Sequence, residues 1–280
     1  MTRSEPSTAP EAPAGSERAL EILKRWGEHA TSFQILEEGY SYWFDSEAEA
    51  VVAYVQAGRY RVVAGPPIGP TDQLVAIAER FVNDTLAVRA RALFFCADDT
   101  FIRQLRDDPN APTFDSVPIG EQPEWDPREW SPTGRNFRTL REQVNRARNK
   151  GVVARCIAPD ELDSAATRAE IETVLQRWLA ARRMSAMRFM VDLQPFHQAH
   201  ERRYYVAECA GRAVGFLAAV PVYRRGGWFF EDVIRTPDAP NGTVELLIHT
   251  AMEQARETGD TYVTLGLAPL AGIPDGPGPH

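Results

Sequence analysis

Two stretches of this chain spell out the same order of local patterns: helix, strand-like runs, a turn rich in proline, an amphipathic helix, one more strand. The first stretch opens with helical spacing of Leu20, Leu23 and Trp26 over residues 17–33, followed by strand-like runs at 40–44, 50–55 and 59–64. Ala57-Gly58 is a hairpin turn signal, and Gly65-Pro66-Pro67-Ile68-Gly69-Pro70 halts the third run because proline has no N–H to give a ladder. Residues 71–88 then read as a helix with Leu74, Ile77, Ala78, Phe81 and Val82 on one face, before a strand at 92–96, a short helix at 101–105 and a strand at 113–119. The second stretch has a strand at 152–157, a long helix at 160–183 and a short helix near Phe196. Strands at 203–208, 213–222 and 227–235, a turn at 236–242, a helix at 243–257 and a strand at 262–267 complete it. This order predicts an α/β (α+β) protein with mixed, largely antiparallel sheets, laid out as two tandem units. The expected divisions are a disordered tail over 1–16, a first domain over 17–133, a basic connecting helix over 134–151 and a second domain over 152–280. A single mixed sheet also fits 280 residues.

The longest apolar run, Val214 to Val222, is half of what a bilayer span needs and contains Pro221. Residues 1–16 are rich in Pro, Ala, Ser and Glu and lack the apolar segment of a signal peptide. The chain is therefore expected in the cytoplasm, with any membrane contact peripheral. With 31 Lys plus Arg against 39 Asp plus Glu, the net charge of −8 argues against a wholly basic nucleic-acid binder, yet leaves room for a local basic face. Cys96, Cys156 and Cys209 are far apart and odd in number, which fits a reducing compartment rather than a disulfide framework. His29, His197, His200 and His249 show no metal-ligand spacing, and neither a metal nor a cofactor is expected.

Two stretches carry candidate chemistry. In the first, the strand 227–235 runs into Thr236-Pro237-Asp238-Ala239-Pro240-Asn241-Gly242 and then a helix start, where unpaired backbone N–H groups can hold an anion. Asp232 and Arg235 are three apart, so a regular strand points them to opposite faces; a solvated strand-end charge is the plainer role for Arg235. Asn241 is the expected N-cap of the following helix, and Glu245 sits in its first turn, where it complements the dipole. The second is the basic stretch 135–150. Arg135, Arg138, Arg141, Arg146, Arg148 and Lys150 are opposed within it only by Glu142, with Asn136 and Asn145 as polar neighbours and Gly151 as terminator. Arg138 and Arg141 share a face that suits RNA phosphate or an anionic lipid headgroup, or that is simply solvated.

The element order matches the acyltransferase fold of the Gcn5-related type, in tandem. The residues themselves resemble a narrower family. Arg135-Asn136-Phe137-Arg138 through Asn145-Arg146, together with Asp232-Val233-Ile234-Arg235, Pro237 to Gly242 and Glu245, resembles the C-terminal domain of phosphatidylglycerol lysyltransferases. So does Thr264-Leu265-Gly266-Leu267-Ala268-Pro269-Leu270-Ala271-Gly272, and so does the turn Gly65 to Pro70, although Pro66 stands where that family often has Asp. Against the family, the C-terminal end at 272–280 reads as shortened, and the membrane-spanning half of full-length members is not in this sequence.

The resemblance implies tandem acetyltransferase-like domains and transfer of an amino acid from aminoacyl-tRNA to a hydroxyl of phosphatidylglycerol or a related lipid. It places Asp232, Arg235 and Glu245 as catalytic candidates and Arg135, Arg138, Arg141, Asn145, Asn241 and Gly242 as substrate-binding candidates. An anionic phospholipid surface and the charged tRNA are the implied partners. Two other readings stay open. An acyl-coenzyme-A N-acyltransferase of the same fold is disfavoured because Pro237 and Pro240 remove amide donors that a pyrophosphate needs. A non-catalytic module would bind tRNA or an anionic membrane through the basic helix.

Overall fold

The computed structural model describes residues 15–182 and 193–273. The tail expected over 1–16 lies outside them save for its last two residues, as do the end of the long helix at 183 and residues 274–280. The chain forms two compact units, one from residues up to 27 with 34–114, the other from 28–33 with 115–280. Segment 115–133 goes with the second unit because it adds a strand to that unit's sheet and buries Trp130 in its core.

In the first unit, α1 (Ser16–Trp26) precedes a four-stranded sheet of β1 (Ser41–Phe44), β2 (Val51–Ala57), β3 (Tyr60–Ala64) and β4 (Arg91–Phe95), in that order. The helix expected over 17–33 stops at Trp26, and a 3₁₀ turn, Ala30–Leu36, follows Gly27. β1 to β3 form an antiparallel meander; α2 (Leu74–Ala87) then crosses over so that β4 lies parallel to β3. The apolar face of α2 explains this docking. Ile77 and Phe81 are fully buried against Val52 and Val63, and the Phe81 ring meets Trp43, Tyr54 and Phe94 at centroid distances of 5.6, 5.8 and 6.1 Å. Each such aromatic pair contributes about 0.5–1.5 kcal/mol beyond area burial. α3 (Asp99–Asp107) is capped by the Asp98 carboxylate, which accepts from the Phe101 N–H at 2.8 Å. The strand expected over 113–119 is absent: Pro112 precedes it, Pro118 falls inside it and Val117 is exposed. Pairing resumes only at β5 (Gly120–Glu121).

The second unit repeats the plan on a larger scale. Its six-stranded sheet contains β6 (Glu124–Trp125), β7 (Val152–Cys156), β8 (Arg203–Cys209), β9 (Arg212–Val222), β10 (Gly227–Arg235) and β11 (Tyr262–Thr264), in the order β6-β11-β10-β9-β8-β7. β7 to β10 are antiparallel and β11 is parallel to β10. The basic helix α4 (Arg138–Asn149) enters before β7. The long helix expected over 160–183 is instead α5 (Pro159–Leu162) and α6 (Ala165–Ala180), separated at Asp163 and Ser164. The short helix expected near Phe196 is a turn followed by a 3₁₀ turn, Ala199–Glu201. α7 (Thr243–Glu257) is the crossover between β10 and β11. The strand expected over 262–267 ends at Thr264, because Gly266 takes φ 75°, and a two-residue β12 (Ala268–Pro269) pairs with β5 instead.

One face of this sheet packs on α4 and α7 through Val144, Ala147, Leu217, Phe230, Leu247 and Val263. The other packs on α6 through Ile171, Val174, Tyr204, Phe216, Ala218 and Ile234. Among the described residues no helix is long and apolar enough to cross a membrane.

Candidate active site

β10 pairs with β11 only through Gly227–Tyr262, Trp228–Val263 and Phe229–Thr264. Beyond Phe229 no described strand continues that pairing, so residues 230–235 form an open edge at the middle of the sheet. On its other side β10 stays paired with β9, but the register shifts between Phe230 and Asp232. Glu231 is the extra residue of this bulge. A bulge puts two neighbouring side chains where an unbroken pleat would put one, so Glu231 and Asp232 turn to the same side of the sheet.

That side holds a buried polar cluster. The Arg202 guanidinium pairs with the Glu231 carboxylate, their side chains 2% and 8% exposed. Arg202 also donates to the His197 carbonyl at 2.8 Å and lies 5.2 Å over the Phe33 ring. The Tyr204 hydroxyl donates to the Pro195 carbonyl. Asp232 is 9% exposed and faces Ala218 across the pair. Burial pushes its carboxyl up to about 7; the Glu231 charge adds to the rise and Arg202 opposes it. A carboxyl held near neutrality is suited to accept and return a proton.

Arg235 lies on the other face, opposite Gly215, where a Cβ would touch Thr243 and Leu247 of α7. The regular pleat between 232 and 235 therefore separates Asp232 from Arg235, as their spacing requires. Arg235 is half-buried and donates one N–H to the Ala239 carbonyl at 3.2 Å, which braces the turn before α7. Glu245 is half-buried in the first turn of α7. Asn241 is exposed and is not the N-cap. Gly242 takes that position with φ 94° and no side-chain cap bond, because the backbone turns left-handed there and Leu246 N–H closes the helix on the Gly242 carbonyl at 2.9 Å. A Cβ on Gly242 would stand 2.0 Å from the Gln143 carbonyl oxygen, so this glycine seats α4 directly against the start of α7.

The basic stretch is less uniform than its sequence suggests. Arg135 and Asn136 precede α4, in a turn, because the helix starts at Arg138. Arg141 is spent on the loop, donating to the Pro132 and Gly134 carbonyls at 2.9 and 2.7 Å. Arg138 is exposed and meets Glu142 at 2.8 Å. Arg135, Asn145, Arg146, Arg148 and Lys150 are exposed, while Val144 and Ala147 anchor the helix in the core. Among the described residues no group of three or more His, Cys, Asp or Glu is placed to hold a metal ion.

Sequence reasoning missed Glu231 and Arg202. Period-two alternation puts Glu231 on the face opposite Asp232, and only the bulge reverses it. The available signal was a pair of adjacent acids inside an otherwise apolar strand.

Two meander-and-crossover units, one after the other in the chain, define the class of fold. The chain belongs to the family of phosphatidylglycerol lysyltransferase C-terminal domains, whose family model matches residues 20–280. It is 23% identical over 260 residues to the phosphatidylglycerol lysyltransferase of Bacillus subtilis (strain 168), which covers 93% of this chain and 30% of that protein. It is 25% identical over 248 residues to an MprF-like domain protein of Mycobacterium tuberculosis, covering 83% of this chain and 49% of that one. The chain thus spans less than half the length of both relatives. The solved structure of L-PGS from Bacillus licheniformis shares the fold, with a TM-score of 0.80 at 20% identity over 96% of this chain and 81% of that one.

Proposed function

We propose that this chain moves an aminoacyl group from aminoacyl-tRNA to a hydroxyl of phosphatidylglycerol, at the open edge of β10. The observation that carries the reading is Asp232, a buried carboxyl held near neutrality on the stretch of β10 that β11 leaves unpaired. The step is an ester exchange. The lipid hydroxyl oxygen attacks the aminoacyl ester carbonyl, and the Asp232 carboxylate takes the hydroxyl proton. Collapse of the adduct then expels the terminal ribose oxygen of the tRNA, which receives that proton. One ester bond forms and one breaks, so no co-reactant is needed.

Arg235 keeps guanidinium donors beyond the one on Ala239, and these suit a lipid phosphate at the start of α7. Because Asp232 and Arg235 lie on opposite faces, the acceptor would lie across the strand edge, with its phosphate toward α7 and its hydroxyl toward Asp232. Glu245 adds a carboxylate on the phosphate side and serves there to orient the glycerol headgroup. The exposed Arg135, Arg138, Arg146 and Arg148 with Asn145 offer a phosphate-binding face for the tRNA. The close seat of α4 on Gly242 brings that face up to the turn after Arg235. The family's naming for phosphatidylglycerol lysyltransferases supports the acceptor, and the site would act at the inner membrane surface.

The test is incubation of the chain with charged tRNAs and phosphatidylglycerol vesicles, followed by mass spectrometry of the lipids. New aminoacyl-phosphatidylglycerol is expected from the parent chain and none from Arg235→Ala at unchanged Tm. Absence of any aminoacylated lipid with every charged tRNA, or full activity in Arg235→Ala, overturns the reading or its assignment of Arg235.

A further inference from the structure

The apex of the first unit where β2 turns into β3 and α2 turns into β4 has an unusual composition. Among the described residues eight large apolar side chains are exposed, and four of them sit here: Tyr60, Leu86, Val88 and Leu93, at 39%, 56%, 61% and 43%. The backbone holds the two turns together, since the Arg91 N–H donates to the Arg59 carbonyl at 2.8 Å and Tyr60 pairs with Arg91. Tyr60, Arg91 and Leu93 lie on the sheet face turned away from α2, because Arg61, Ala92 and Phe94 take the α2 side. Arg59, Arg89 and Arg91 are all exposed. No acid occurs in residues 51–61 or 85–97, in a chain whose net charge is −8. The preceding carboxylate, Asp84, accepts from the Trp43 indole N–H at 2.8 Å.

One residue of this apex is held at a cost. Arg89 ends α2 with φ 58°, a left-handed turn position that glycine fills without strain. This arginine follows the exposed Val88 and is itself exposed.

We propose that this apex docks on an anionic lipid surface, with Leu86, Val88, Tyr60 and Leu93 entering the headgroup layer and Arg59, Arg89 and Arg91 holding lipid phosphates. Charge complementarity chooses the occupant. Aliphatic side chains interleaved with arginines gain from both the apolar and the anionic parts of such a surface, whereas RNA rewards only the arginines. The inference concerns binding alone, so it stands or falls independently of the transfer reaction.

Flotation of the full chain with vesicles of phosphatidylglycerol and phosphatidylcholine, against vesicles of phosphatidylcholine alone, tests it. Binding to the anionic vesicles is expected to fall about fivefold for each of Arg59→Gln, Arg89→Gln and Arg91→Gln. It is expected to fall about tenfold for Leu86→Ser combined with Val88→Ser. Arg89→Gly separates docking from folding: it relieves the left-handed position, so Tm should rise while vesicle binding falls. Unchanged anionic-vesicle binding in the apex variants overturns the proposal, as does equal binding to pure phosphatidylcholine. Loss of tRNA binding without loss of vesicle binding overturns it too, and marks the apex as a nucleic-acid surface.

Discussion

The two units share a plan and differ at one joint. In the first, β3 and β4 pair along their whole length, from Tyr60–Arg91 to Ala64–Phe95, and the Gly65 N–H closes the end on the Phe95 carbonyl at 2.7 Å. In the second, β10 and β11 pair over three residues and part, while β10 runs on for six more with a bulge at Glu231. The closed joint carries no acid and is apolar beyond its first arginines, whereas the open one holds two buried acids and an arginine. Repetition of a fold thus need not repeat a site. Lengthening one strand past its partner, and kinking it once, creates both the opening and the place to put a carboxyl in it.

This contrast predicts where substitutions will matter. The largest effect is expected at Asp232→Asn, which removes the proton acceptor without removing volume; transfer should fall by about a thousandfold, measured as aminoacylated lipid per unit time at equal folded protein. Next is Arg202→Met. It leaves the Glu231 carboxylate buried without its cation and should cost about 3–5 kcal/mol in urea unfolding, most of it regained when Glu231→Leu is added. In the first unit, Arg80→Ala strips the fully buried Asp45 carboxylate of its 2.5 Å partner but leaves it the Glu47 N–H, so a loss of about 2–3 kcal/mol is expected. Its transfer rate per folded molecule should stay within about twofold of the parent, which separates a structural ion pair from a chemical one.

The smallest effect is a slope. The Asp232 carboxyl titrates higher in the folded chain than in the unfolded one, so the folded state holds its proton longer. That contribution to stability is complete below the ordinary aspartate range and is lost as pH rises through about 7. Tm measured from pH 4 to pH 8 should therefore decline more in the parent than in Asp232→Asn, whereas transfer should rise over the same upper range as the carboxylate forms. Parallel Tm curves for the two proteins would contradict the placement of Asp232.

Most of this architecture was readable from residues alone because its strands are short apolar runs and its turns carry proline or glycine. The meander at 41–64 and the run from 203 to 257 emerge within a residue or two of their expected bounds. The misses have local causes. Residues 113–119 look strand-like by composition, but Pro118 falls among them and no strand forms. The break between α5 and α6 comes where Ser164 takes an extended backbone as the N-cap of α6, which periodicity does not register. At the site, the opposite facing of Asp232 and Arg235 was legible because that half of β10 is regular. Glu231 was not, because a bulge depends on how β9 meets β10 and leaves little trace in one strand. The basic face of α4 was legible as charge, yet the use of Arg141 to hold the Pro132–Gly134 loop required knowing where that loop runs.

Hydrogen exchange tests the central claim most directly, with and without a stable amide analogue of the aminoacyl-tRNA terminus. The open edge should exchange faster than β3 and β4 in the free chain, and the analogue should slow exchange at residues 230–235 and at the start of α7 while leaving the β3–β4 joint unchanged. Slowing confined to β3 and β4, or none at β10, would contradict the assignment of the chemistry to the second unit.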